Sequence, residues 1–224
     1  MKHKSYYRRF KIIIGTPLWR IYLRSSYKKC LKNLKRLNFS LNFSKKSFSA
    51  LLCGVGNEAT ADEFIKFVTG KNKNAKIIII DIGDEQIRAV RKLVGAKYSP
   101  LDIIVKKINA LELDSFIKKH SIDWIETDGF LEYFDQRHLR LLFAQWKNVL
   151  AEGGVITFRD SFSKNKFDEL IGSFRVWIAR EWLGVTVFSH SKKFFENLIE
   201  LSGFNYCAEP TLLPTFIRYT LIKT

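Results

Sequence analysis

From residue 49 onward, short apolar runs of β type alternate with stretches whose apolar positions recur at helical spacing. The first run, Ala50-Leu51-Leu52-Cys53, ends in Gly54-Val55-Gly56. A helical stripe of Phe64, Ile65, Phe67 and Val68 follows and stops at Gly70. Residues 76–80, Lys-Ile-Ile-Ile-Ile, form a run of the kind a parallel sheet buries on both faces. The next helix is expected from about Asp84, through Ile87, Val90 and Val94, to Gly95. A third strand is expected over residues 102–108, a short helix over 113–119 and a fourth strand over 123–127. Asp135 reads as the N-cap of a helix carrying Leu139, Leu142, Phe143, Trp146, Val149 and Leu150 on one face. Gly153-Gly154 breaks it, and residues 155–158 are the fifth strand. An aromatic-rich segment spans 161–188. Ser191 then opens a helix with Phe194, Phe195, Leu198, Ile199 and Leu201, stopped by Gly203. Runs at 204–209 and 215–222 lie too close for a parallel crossover, so they form an antiparallel hairpin. The pattern predicts a doubly wound α/β fold, with a mostly parallel seven-stranded sheet and a C-terminal antiparallel hairpin.

Composition changes the picture at the N-terminus. The 224 residues carry a net charge of +16, and it is unevenly placed. Residues 1–57 contain 14 Lys or Arg and no Asp or Glu, whereas residues 58–224 hold 24 basic and 22 acidic side chains. This suggests a basic arm over residues 1–46 and a nearly neutral domain over 47–224. Within the arm, Leu23, Tyr27, Cys30, Leu31, Leu34 and Leu37 share one helical face, and Lys28, Lys29, Lys32, Lys35 and Arg36 fall largely on others. Leu18, Trp19 and Tyr22 lead into it. Such a basic amphipathic helix can lie on an anionic membrane, follow a nucleic-acid backbone, or pack on the domain with its lysines solvated. No apolar run approaches the roughly 20 residues that span a bilayer, and no secretory signal is visible. Three separated cysteines, Cys30, Cys53 and Cys207, have no metal-ligand spacing, so no metal is expected. A reduced cytoplasmic setting is expected, with the arm suited to the periphery of a membrane.

Two features suggest the chemistry. A Gly-x-Gly turn between a strand and a helix lets a backbone pass close to a ligand, although it is also an ordinary tight turn. Asp81, at the tip of the second strand, can accept from both hydroxyls of a ribose, or simply cap a helix. In the order and spacing of its motifs the chain resembles the class I S-adenosylmethionine-dependent methyltransferases over residues 49–223. The residues are Leu51-Leu52-Cys53-Gly54-Val55-Gly56-Asn57, Asp81-Ile82-Gly83-Asp84, Asn109-Ala110, Thr127-Asp128-Gly129-Phe130-Leu131 and residues 146–155. Leu201-Ser202-Gly203-Phe204 and the terminal hairpin resemble the end of that fold. The resemblance implies a Rossmann-like fold with S-adenosylmethionine as cofactor. It assigns the cofactor to Gly54, Val55, Gly56, Asn57, Asp81, Ile82, Asn109, Ala110, Thr127, Asp128 and Gly129. Three positions depart from the family: Leu52 and Glu58 stand where an acid and a third glycine are usual, and Asn109 replaces an Asp.

Methyl transfer needs few functional groups, because the methyl is already activated. Candidate catalytic residues beyond strands four and five are Asp128, Tyr133, His138, Arg159 and Asp160. Each also has a plain structural use: Asp160 as a helix cap, Arg159 as a surface ion pair, His138 as an exposed helical residue. The rings of segment 161–188 would shape an apolar or ring-bearing acceptor pocket, a partner surface, or core. The leading expectation is methyl transfer to a small, apolar or aromatic acceptor. RNA methylation using the basic arm, a non-catalytic interaction module with a degenerate cofactor site, and a nicotinamide oxidoreductase through Gly-x-Gly-x-x-Ala remain open beside it.

Overall fold

The computed structural model describes residues 15–223. Its strands β1 (Ser49–Cys53), β2 (Lys76–Asp81), β3 (Ile103–Lys107), β4 (Ile122–Asp128), β5 (Leu150–Ser163), β7 (Phe204–Pro210) and β8 (Phe216–Lys223) lie in the sheet order β3-β2-β1-β4-β5-β8-β7. The first five pair in parallel, and β8 pairs antiparallel with both β5 and β7. A two-residue strand, β6 (His190–Ser191), also pairs with β5, so the sheet has eight strands rather than seven. Parallel pairing follows from helical crossovers, and burial on both faces explains why β1 and β2 read as unbroken apolar runs.

Helices cover both faces. Helices α1 (Pro17–Arg36), α2 (Glu58–Thr69) and α3 (Asp84–Lys97) pack on one. On the other lie α4 (Gln136–Val149) and α6 (Lys192–Leu201), while α5 (Lys166–Ile178) follows the end of β5. The caps are those the sequence suggests: Asp135 accepts from the backbone of His138 at 2.8 Å, and Ser191 from that of Phe194 at 3.2 Å.

Several boundaries differ from the sequence pattern. Helix α3 runs through Gly95 to Lys97, since an interior glycine costs only about 1 kcal/mol. The short helix expected at 113–119 is instead a 3-10 turn over Ala110–Ser115, capped by Asn109. Strand β5 starts at Leu150, opposite Ile122, and its regular pairing with β4 and β8 resumes at Val155; Gly153-Gly154 lie in the register shift between, where Gly153 takes φ +67°.

Helix α1 is docked on the sheet. Leu23, Tyr27, Cys30 and Leu34 are buried, and Tyr27 meets Trp124 edge-on at 6.1 Å. Arg20 bonds Asp62 at 2.6 Å and Glu63 at 3.0 Å, and Arg24 also bonds Glu63. Burial pushes the Asp62 carboxyl up, but hydrogen bonds from Lys66, Tyr98 and Arg20 outweigh it and hold the group below the ordinary carboxylate range.

Candidate functional site

Between β1 and β4 the strand order reverses, and the carboxyl ends of these strands open a cleft. A cavity of about 460 Å³ occupies it. The turn after β1 forms one wall. Gly54 has φ +75° and donates its N–H to the Ile80 carbonyl at 2.9 Å. The Val55 N–H donates to Asp81 at 2.6 Å and the Gly83 N–H donates to its other oxygen at 2.7 Å. Asp81 therefore ties the glycine turn to the tip of β2, and each carboxylate oxygen keeps a further lone pair. Burial pushes this carboxyl up against the pull of the backbone donors.

Of the residues assigned to the cofactor, Gly54, Val55, Gly56, Asp81, Ile82, Asn109, Ala110, Asp128 and Gly129 line this cavity. Ile82 stays 68% exposed at the strand tip. Asn57 and Thr127 are buried away from the lining. Asn57 caps α2 by accepting from Ala59 at 2.8 Å, and the Thr127 hydroxyl donates to the Cys53 carbonyl at 2.6 Å, joining β4 to β1.

Beyond the glycine turn the walls are rings: Trp19, Phe130, Tyr133, Phe134 and Phe216. The indole N–H of Trp19 has no hydrogen-bond partner among the described residues. Arg175 of α5 donates to Glu132 at 2.6 Å and both line the chamber, while the Glu132 carbonyl accepts from the Phe188 N–H at 2.6 Å. Burial pushes the Glu132 carboxyl up, with Arg175 opposing it.

The candidate catalytic residues separate. Asp128 and Tyr133 line the cavity. Arg159 is fully buried rather than on the surface: it ion-pairs with Asp128, and the Tyr22 ring lies 4.4 Å from its guanidinium carbon. Its Nε and Nη1 lack hydrogen-bond partners among the described residues. Asp160 is also buried and does not cap α5, whose cap is Asn165. It accepts from Leu131 at 2.6 Å and Ser161 at 2.8 Å, and burial, then the Glu132 charge, push it up to about 8. His138 pairs with Asp135 at 2.8 Å on α4, outside the lining.

Trp19, Glu132, Arg175 and Phe216 escaped the sequence reading. They come from four separate segments, and only Glu132, four residues beyond Asp128, carried a local signal. The segment 161–188 supplies Arg175 and Val185 to the cavity but none of its rings: Phe162 is core, and Phe167, Phe174, Trp177 and Trp182 are exposed. A second hollow of about 660 Å³, lined by Glu169, Lys192, Glu196 and Tyr206, shares no residue with this cavity. Among the described residues no group of three or more His, Cys, Asp or Glu is placed to hold a metal.

No protein-family model and no curated protein matches the sequence. Solved structures do match. The chain is 15% identical to an S-adenosylmethionine-dependent methyltransferase from Methanosarcina mazei, with TM-score 0.58 over 81% of this chain and 95% of that one. Geranyl diphosphate methyltransferase, solved in complex with S-adenosylmethionine, is 10% identical, with TM-score 0.61 over 93% and 90%. The YcgJ protein of Bacillus subtilis is 13% identical, with TM-score 0.61 over 79% and 92%. The chain has the Rossmann-like fold of the class I S-adenosylmethionine-dependent methyltransferases.

Proposed function

We propose that the chain transfers the methyl group of S-adenosylmethionine to a small acceptor bearing an aromatic ring or another flat apolar group. The observation that carries this is the continuity of one cavity from the glycine turn, Asp81 and Asn109 to a chamber walled by rings. In this reading Asp81 accepts from the ribose hydroxyls, and Ile82 and Ala110 flank the adenine. Asn109 accepts from the adenine amino group. Leu52, where the family usually has an acid, is buried in the core under α1 and α2. Asp128 is then the cavity carboxylate that meets the methionyl ammonium, held in place by Arg159.

The cofactor, when bound, supplies a methyl group already activated on a sulfonium. The protein's share is alignment of the acceptor and exclusion of water. Aromatic walls suit both tasks, and their negative faces favour a nearby positive charge. Where the acceptor must lose a proton, Glu132 is the base in reach: it lines the chamber, and burial holds its carboxyl above the ordinary value.

Calorimetric titration with S-adenosylmethionine and S-adenosylhomocysteine tests the reading, with NAD as competitor and Asp81→Ala as control. The expected result is binding of both compounds, indifference to NAD, and loss in the variant while its thermal unfolding is retained. Absence of binding to the folded protein sinks the reading. Displacement by NAD would turn it into dinucleotide chemistry, and binding without turnover on any acceptor class into a non-catalytic module.

A further inference from the structure

We propose that the face carrying α5 and the start of α1 docks on an anionic lipid bilayer, presenting the mouth of the cavity to the membrane surface. Along α5, Phe167, Leu170, Phe174 and Trp177 recur at helical spacing and are 69%, 68%, 59% and 58% exposed. Trp182 extends the stripe into the π-helical turn that follows, at 75% exposed, and Phe174 stacks on Trp177 with centroids 5.9 Å apart. Leu18 and Ile21 on the outer side of α1 are also exposed. A folded chain rarely leaves an aligned row of large rings in water unless something covers it. Trp19, next to Leu18, and Arg175, next to Phe174, line the same cavity, so the two helices that carry these apolar surfaces both reach its wall.

Charge selects the occupant. Lys28, Lys29, Lys32 and Lys35 on α1 face solvent, whereas Arg20 and Arg24 are already satisfied by Asp62 and Glu63. In sequence, residues 1–14 mix Lys2, Lys4, Arg8, Arg9 and Lys11 with Tyr6, Tyr7, Phe10 and three isoleucines. Rings and aliphatic chains that enter the headgroup boundary, beside cations that meet lipid phosphates, are what an anionic bilayer surface rewards. A nucleic-acid backbone offers the cations a partner but gives Leu18, Ile21 and Leu170 no apolar phase. No helix among the described residues is long and apolar enough to cross a membrane, so the contact is peripheral. One consequence rests on the functional reading above: an amphiphilic acceptor would enter the ring-walled chamber from the lipid surface.

The test is sedimentation of the full chain with phosphatidylcholine vesicles, with and without phosphatidylglycerol. A second readout is quenching of tryptophan fluorescence by brominated lipid. Binding should require the anionic lipid. Phe174→Ser and Trp177→Ser should each weaken it by about tenfold, which corresponds to about 1.4 kcal/mol. Their melting temperature and S-adenosylhomocysteine binding should stay unchanged. Quenching should fall in Trp177→Phe, which keeps a ring and the fold. No vesicle binding overturns the proposal. So does purely salt-sensitive binding that the α5 variants leave intact, because charge alone would then explain it. Preference for RNA over vesicles, or self-association lost in the same variants, assigns the face to another partner and overturns it equally. Cofactor titration reports separately on the functional reading, so the two fail independently.

Discussion

At Gly54 the backbone has φ +75°, and a Cβ there would lie 2.4 Å from Cδ2 of Phe130. Gly54→Ala therefore strains the turn and displaces a ring of the cavity wall. It should cost about 1–3 kcal/mol in urea unfolding and weaken cofactor binding beyond what the lost stability explains. Glu126 is a different kind of residue. It is fully buried on β4, its Oε2 accepts from the Thr157 hydroxyl, and its Oε1 has no hydrogen-bond partner among the described residues. Burial, only partly opposed by Thr157 and Arg159, pushes its carboxyl from 4.5 up to about 8. A carboxyl raised on folding binds more protons folded than unfolded, so its contribution is complete below 4.5 and is lost as the pH climbs through about 8. Glu126→Gln keeps the shape and removes the titration. Its melting temperature should exceed the parent's on the alkaline side, with a flatter pH dependence between those two values. An unchanged slope would mean that another group titrates there.

Among the elements, α1 is a basic segment that packs. Of the three placements its amphipathic pattern allowed, it takes the one against the domain: Leu23, Tyr27, Cys30 and Leu34 are core, and two of the arginines are bound to α2. Leu23→Ala should cost about 2–5 kcal/mol, the range of a buried leucine in any core, and unfold in the same transition as the sheet. A loss below about 0.5 kcal/mol, typical of surface positions, would show that α1 is only laid against the domain. Helix α5 is the reverse case. Its apolar residues sit at core-like spacing, but its buried contact is at Gly172, where an added Cβ would meet the Ser189 hydroxyl oxygen at 2.7 Å. The stripe faces outward because the glycine side is what fits the body of the protein.

For the molecule as a whole, a ligand that occupies the cleft couples β1 to β4 and should stabilise the entire fold. S-adenosylhomocysteine at a hundred times its dissociation constant should add about 2.7 kcal/mol, or roughly 5–10 °C in Tm for a chain of this length. NAD at the same concentration should leave Tm unchanged. An equal shift with both would point to a general nucleotide cleft. What the sequence by itself determined are the features written in local order: the alternation of strands and helices, the caps at Asp135 and Ser191, the glycine turn, and Asp81 one crossover later. Periodicity and capping act over a few residues, so they are visible before any folding. Only the tertiary structure decided that Arg159 lies buried against Asp128 and Tyr22, that Trp19 and Phe216 line one cavity, and that β5 passes through its glycines. Those outcomes depend on which strands become neighbours. Trp19 and Phe216 are nearly the whole chain apart, and no local rule relates them until β8 is inserted beside β5 and α1 closes over both.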